Sequence, residues 1–250
     1  MLVDTGSGDR AIERSAQACH RGRSATPCAE CAARPVSVCS VLAVPELREL
    51  EALSQHLTLD KGQALFRQDE PGDAVYNVIE GSLRLTRLLP DGRRHIMGFA
   101  LPGDFLGLAL AERHAVSAEA LGPVLTCRFG REDFAALLEA KPHLLRSLHA
   151  RTGAELMLAQ DQMLLLGRRT AEEKVVAFLL GLRNRYARTG RSSVTVELPM
   201  GRQDMADHLG LTIETVSRML TRLDRAHLIL IVPGGVRLLD VERLERLAAS

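Results

Sequence analysis

Leu209-Gly210-Leu211-Thr212-Ile213-Glu214-Thr215-Val216-Ser217-Arg218 is the stretch on which the reading of this 250-residue chain turns. Residues 201–209 have the pattern of a short helix, and Gly210-Leu211-Thr212 supplies a tight turn. Residues 213–224 form a second helix, with Thr212 placed to cap its first turn. Two short helices joined by a glycine-containing turn are the outline of a helix-turn-helix. Downstream, residues 228–232 and 236–239 flank Pro233-Gly234-Gly235, the pattern of a hairpin that serves as a wing. Upstream, residues 193–198 predict a strand and residues 171–182 an amphipathic helix.

On the second helix Glu214, Ser217 and Arg218 stand at i, i+3 and i+4 and share one face, while Val216, Met219, Leu220 and Leu223 make the opposite face apolar. The N-terminal end of such a helix meets base edges. A carboxylate accepts from cytosine, a guanidinium donates to guanine, and a small hydroxyl serves either. Spacing alone serves an ordinary Glu214–Arg218 ion pair on a solvated helix equally well. Charge leans the same way as the DNA reading without deciding it: residues 168–250 hold 14 basic and 10 acidic side chains, net +4, against 18 and 21, net −3, in residues 1–167.

Further upstream, residues 132–166 predict one long helix, interrupted in pattern only by Pro142 and Gly153. Leu156, Ala159 or Gln160, Met163 and Leu166 approximate a heptad seam along which two copies can pack, with Leu156 and Met163 as the dimer contacts. A helix lying on its own barrel satisfies the same pattern. Before it, turns recur about every ten residues, at Asp60-Lys61-Gly62, Pro71-Gly72-Asp73, Glu80-Gly81-Ser82, Pro90-Asp91-Gly92 and Pro102-Gly103-Asp104. Short alternating runs separate them, so residues 45–130 read as an antiparallel barrel or jelly roll.

The composition, 46% apolar and 25% charged, is that of a globular chain. The first forty residues lack the apolar core of a signal peptide, and no apolar run approaches a membrane span. A cytoplasmic protein with no membrane partner is the expectation. No nucleophile, base and orienting acid recur at recognisable spacing, and glycine-rich phosphate loops are missing, so no enzyme is expected.

Five cysteines occur, at positions 19, 28, 31, 39 and 127. In a cytosolic chain a disulfide scaffold is disfavoured, so Cys28-x2-Cys31-x7-Cys39 asks for a metal or redox role, with Cys127 on a predicted strand as candidate fourth ligand. Four thiolates suit zinc or a 4Fe-4S cluster, and spacing does not separate the two. Cys19 reads as a spare surface thiol. His20 and His114 lack partners at ligand spacing and read as solvated or packed.

Taken together, these motifs resemble the Crp/Fnr family of transcription regulators. The 209–218 stretch carries most of the resemblance, its Glu-x-x-Ser-Arg pattern being similar to that of the Fnr branch. The Gly-Asp turns and Asp161-Gln162-Met163-Leu164-Leu165-Leu166 extend it over about residues 28 to 245. The resemblance implies an α+β chain in four parts: a cysteine-bearing segment over residues 1–44, a cyclic-nucleotide-binding-type β jelly roll over 45–130, a long dimerisation helix over 131–168 and a winged helix-turn-helix over 169–250. It also implies an oxygen-labile 4Fe-4S cluster on Cys28, Cys31, Cys39 and Cys127, a homodimer on a TTGAT-type palindrome, activation of transcription, and RNA polymerase as partner. The family's phosphate cassette reads Gly-Glu, then Arg-x-Ser or Arg-x-Thr. In the Gly107–Ser117 stretch here the glutamate after the glycine is absent and Arg113 has poorly fitting neighbours. A regulator sensing another small ligand, with structural zinc at the cysteines, is the alternative expectation.

Overall fold

The computed structural model describes residues 28–107, 112–190 and 194–249. Cys19, His20 and positions 108–111 of the cassette stretch lie outside the described residues, as does the side chain of Leu166. The jelly roll is two four-stranded antiparallel sheets. One has the order β1 (Ser54–Leu59), β8 (Val124–Gly130), β3 (Ala74–Glu80), β6 (Phe105–Leu106). The other runs β2 (Ala64–Phe66), β7 (Ser117–Ala120), β4 (Leu83–Leu88), β5 (Arg94–Ala100).

Strands β3 and β8 pair side by side and are buried on both faces. Because side chains alternate across a strand, Val78 and Val124 point into the roll. Val75, Ile79, Cys127 and Phe129 point outward into a second core. Phe105, Phe129 and Phe134 stack there with ring centroids 5.3–6.0 Å apart.

The barrel begins later than the expected residue 45, because Val44–Ala52 forms helix α1. Pro45 occupies its first turn and the Glu46 carboxylate accepts from the Ala43 amide at 2.9 Å, capping the start. Leu47 and Leu50, one turn apart, bury it against the outer core. The expected single helix over 132–166 is likewise two: α2 (Arg131–Ala140) and α3 (Pro142–Arg168), broken at Lys141. Proline lacks the amide that would continue the first helix and drives the preceding residue towards extended backbone. The start of α3 lies on the barrel through Leu144 and Leu148. Its later turns leave Leu156 at 59% and Met163 at 67% exposure, with Met157 and Leu158 also exposed.

After α3 come α4 (Ala171–Arg188), β9 (Thr195–Glu197), α5 (Arg202–Leu209), α6 (Ile213–Arg225), β10 (Ile229–Val232), β11 (Gly235–Leu238) and α7 (Val241–Ala249), with a sheet ordered β10-β11-β9. This is the expected winged helix. Its core is continuous with the barrel's Ile96, Phe99 and Leu101. Among the described residues no helix is long and apolar enough to cross a membrane.

His208 of α5 sits at this junction, donating from Nδ1 to the Ile96 carbonyl at 3.2 Å and packing edge-on against Phe99. Burial lowers its affinity for a second proton from the ordinary 6.5. The unfolded chain therefore takes up a proton near pH 6.5 before the folded one does, and stability falls as pH drops through that point. Burial shifts His114 in the same direction. The thermal midpoint should decline from pH 7 to pH 5.5, and the decline should be shallower in His208→Asn; an equal slope in parent and variant would remove His208 from the cause.

Candidate nucleic-acid interface and cysteine pocket

The turn between α5 and α6 depends on Gly210, which adopts left-handed backbone (φ 61°, ψ 41°) and closes α5 by donating its amide to the Ala206 carbonyl. Thr212 opens α6, its hydroxyl accepting from the Thr215 amide at 3.2 Å. Val216, Leu220 and Leu223 are buried beneath, leaving Glu214 and Arg218 exposed and Ser217 half-buried on the outer face. Among the described residues Glu214 and Arg218 form no ion pair within 4 Å. Arg218 instead reaches the Thr215 hydroxyl at 3.4 Å. The Glu214 carboxyl is held below its usual range, first by a backbone amide at the helix start, then by the Thr212 hydroxyl, with the Arg218 charge adding.

The same helix continues the basic face further than the sequence reading reached. Ser217, Arg218, Thr221, Arg222 and Arg225 line one cleft, the arginines standing at i, i+4 and i+7. That spacing was the available signal. Arg222 also meets Glu172 at 3.5 Å, a partly exposed pair of little energetic weight.

At the other end of the chain, three successive 3-10 turns, Cys28–Glu30, Arg34–Val36 and Val38–Val41, wrap the segment across the outer face of β8 and β3. Cys28, Cys39 and Cys127 are buried in one apolar cluster, and half-exposed Cys31 packs at its edge. Cys127 lies in register with His56 on one side and Asn77 on the other. Burial, reinforced by the charge each thiolate would impose on the next, pushes the Cys28 thiol up to about 12 and raises Cys127 as well. Burial also raises Cys39, partly offset by the Ser37 hydroxyl 3.6 Å from its sulfur. A cationic group that binds thiolates reverses such shifts. The donor set is entirely sulfur, which suits zinc or iron–sulfur. Among the described residues no three His, Cys, Asp or Glu side chains close tightly enough to hold a single ion.

Two contacts join this segment to the rest. Arg151 of α3 donates to the Val36 carbonyl at 2.6 Å. Gly103, at φ +94°, abuts Val36 so closely that a β-carbon there would meet its methyl at 2.6 Å. The next residue, Asp104, pairs with Arg185 of α4, which also donates to the Phe99 carbonyl at 2.8 Å.

In the cassette region Arg113 is turned to the Asp69 carbonyl at 2.6 Å on the surface. His114 is buried and stacked on Phe66 with centroids 3.9 Å apart, so it packs as expected.

A sensory-type jelly roll, a long helix and a winged helix define a DNA-binding transcription regulator. Residues 56–141 match the cyclic nucleotide-binding domain and residues 173–247 the Crp-like helix-turn-helix domain. The chain is 54% identical to the transcriptional activatory protein AadR of Rhodopseudomonas palustris, over 88% of this chain and 92% of that one. It is 51% identical to the nitrogen fixation regulation protein FixK of Bradyrhizobium diazoefficiens, over 89% and 94%. The solved structure of FixK2 from Bradyrhizobium japonicum superposes with a TM-score of 0.73 at 36% identity, covering 79% of this chain and 98% of that one. The chain belongs to the Crp/Fnr family, and like these relatives it is a regulator and not an enzyme.

The raised Cys28 and Cys127 pKa values give a direct test on metal-free protein. At pH 8 a thiol titrating near 12 is about 0.01% thiolate, the nucleophilic form. Iodoacetamide should modify Cys28 and Cys127 far more slowly in the folded chain than in urea, by peptide mass mapping; equal rates would mean that the pocket is open.

Proposed function

We propose that the protein is a dimeric, oxygen-responsive transcription activator in which Cys28, Cys31, Cys39 and Cys127 hold a 4Fe-4S cluster. The observation that carries this reading is the gathering of four cysteines, from two distant parts of the chain, against one buried strand pair. Their all-sulfur chemistry fits the group. When bound, the cluster supplies a tether from the N-terminal segment to β8, one that the family resemblance implies oxygen destroys. A tether can switch the protein only by favouring one arrangement over another. Here the segment it fixes also grips α3 through Arg151 and abuts the Gly103-Asp104 turn that holds α4.

The exposed stripe at Leu156 and Met163 is the dimer seam in this reading. Two copies present their α6 helices about 34 Å apart to a TTGAT-type palindrome. Glu214, Ser217 and Arg218 read base edges there, and Arg222 and Arg225 hold phosphates. RNA polymerase is the partner implied by family, and the cytoplasm the address.

Protein purified without air should be brown, with a broad visible absorption band and roughly four irons and four sulfides per chain; a colourless, zinc-loaded protein would sink the cluster reading. Ser substitution at Cys28, Cys31, Cys39 or Cys127 should abolish the iron and weaken operator binding, whereas Cys19→Ser should do neither. Met163→Glu places an unpaired charge in an apolar contact and should leave a monomer by light scattering.

The two sets of arginines separate in binding assays. Arg218→Ala should lose about 1–3 kcal/mol of discrimination at one G·C pair. Arg225→Ala should weaken matched and mismatched sites alike and lower the salt slope by about one. A uniform loss in Arg218→Ala would make it a phosphate contact.

A further inference from the structure

We infer that Ser37 and Asn77 are positioning residues of the cysteine pocket, a hydrogen-bonded pair that brings a donor to the Cys39 sulfur and fixes the cysteine segment beside Cys127. The inference rests on the cluster reading for its redox consequence but not for its geometry.

Ser37 is 0% and Asn77 2% exposed. Burying such polar groups is unfavourable unless they are hydrogen-bonded. Forty positions apart in sequence, they meet at 2.9 Å between Ser37 Oγ and Asn77 Oδ1, and the same hydroxyl lies 3.6 Å from Cys39 Sγ. Asn77 stands directly across the β3–β8 ladder from Cys127. The pair therefore spans the pocket from the segment carrying Cys39 to the strand neighbouring Cys127.

Local structure does not account for Ser37. It precedes the Val38–Val41 turn as N-cap, yet its side chain makes no capping bond there. The hydroxyl is committed to the pocket.

Its hydrogen-bond arithmetic accommodates either state of the sulfur: as a thiol, Cys39 S–H donates to Ser37 Oγ while Ser37 donates to Asn77 Oδ1. A hydroxyl carries one proton, so it cannot donate to Asn77 Oδ1 and to Cys39 Sγ at once. Rotating the Asn77 amide by half a turn presents Nδ2–H to Ser37 Oγ and frees the Ser37 proton for the sulfur. A cluster-bound Cys39 sulfur is an acceptor only, so with it the chain runs from Asn77 to Ser37 to Cys39, each donating to the next. Donors to ligating sulfurs stabilise the more reduced cluster and raise its potential.

The test compares wild type with Ser37→Ala, Ser37→Thr and Asn77→Leu, all full length and prepared without air. Ser37→Ala and Asn77→Leu should keep their iron but show a lower cluster reduction potential by spectroelectrochemistry. Their visible absorbance should decay at least about twofold faster in air. Ser37→Thr, which keeps the hydroxyl, should return both towards wild type. In cluster-free protein, backbone amides of residues 36–42 should exchange on the order of fivefold faster in Ser37→Ala, reporting the lost staple. Unchanged potential and decay in both Ser37→Ala and Asn77→Leu would overturn the donor role. Unchanged exchange would overturn the staple. If wild type held no iron, the cluster reading and the donor role would fall together, and the exchange comparison would still decide the staple.

Discussion

The double burial of the β3–β8 pair is the constraint on which the rest of the structure depends. A strand pair covered on one face alternates polar and apolar residues, whereas this one places apolar residues on both faces. Its inner face is satisfied by the second sheet. Its outer face, with Val75, Ile79, Cys127 and Phe129, needs a separate cover. Helices α1 and α2 and the start of α3 provide most of it, and the N-terminal cysteine turns provide the remainder. The cysteine segment is thus part of a core as well as a candidate ligand set. Any change in how it lies is felt as apolar surface gained or lost, at roughly 25 cal/mol per Å².

From that cover the chain of contacts runs to the DNA-binding part without an intervening linker. Ile96, Phe99 and Leu101 of the barrel share one core with the winged helix. Polar contacts frame it: Arg84 with Asp204 at 2.9 Å, Arg94 with Asp207 at 3.3 Å, and Gln162 with the His208 carbonyl at 3.2 Å. These pairs are partly exposed and individually modest in energy. They matter as register, because a packed interface of this kind has a few discrete arrangements and does not deform continuously. The orientation of α6 is therefore set by the barrel, and the turn at Gly103-Asp104 is where the barrel meets both the cysteine segment and α4.

Legibility from sequence followed the range of the interactions involved. The helix-turn-helix was readable almost to the residue, because Gly210 and Thr212 act on their immediate neighbours. The barrel was readable from its turns, but its start was not: α1 is held by a Glu46 cap and by Leu47 and Leu50 meeting a distant strand. Pro142 was visible as a break, yet its force depends on Lys141 taking the non-helical backbone (φ −125°, ψ 79°) that ends α2. Cysteine spacing offered three residues and left a fourth ligand to be sought elsewhere; Cys127 was a candidate that only the family resemblance supported, since a lone cysteine on a strand carries no local signal. Ser37 and Asn77 were unreadable for the same reason, being partners across forty positions.

Helix α3 brings the two ends of this argument together. Its first turns are satisfied by the barrel through Leu144 and Leu148, while Leu156, Met157, Leu158 and Met163 find no cover within the described part of the chain. The boundary between these halves falls at Arg151, the residue that grips Val36. Five residues separate Arg151 from Leu156, about 7.5 Å along a helix. The cysteine segment therefore holds α3 within about a turn and a half of where the uncovered stripe begins. In the proposed reading, displacing the segment removes the Arg151–Val36 contact close to that stripe and alters how this part of α3 is held for packing on a second copy. The proposed link between cysteine state and self-association therefore needs no long-distance wire, since a single arginine and about one and a half turns of helix span the gap.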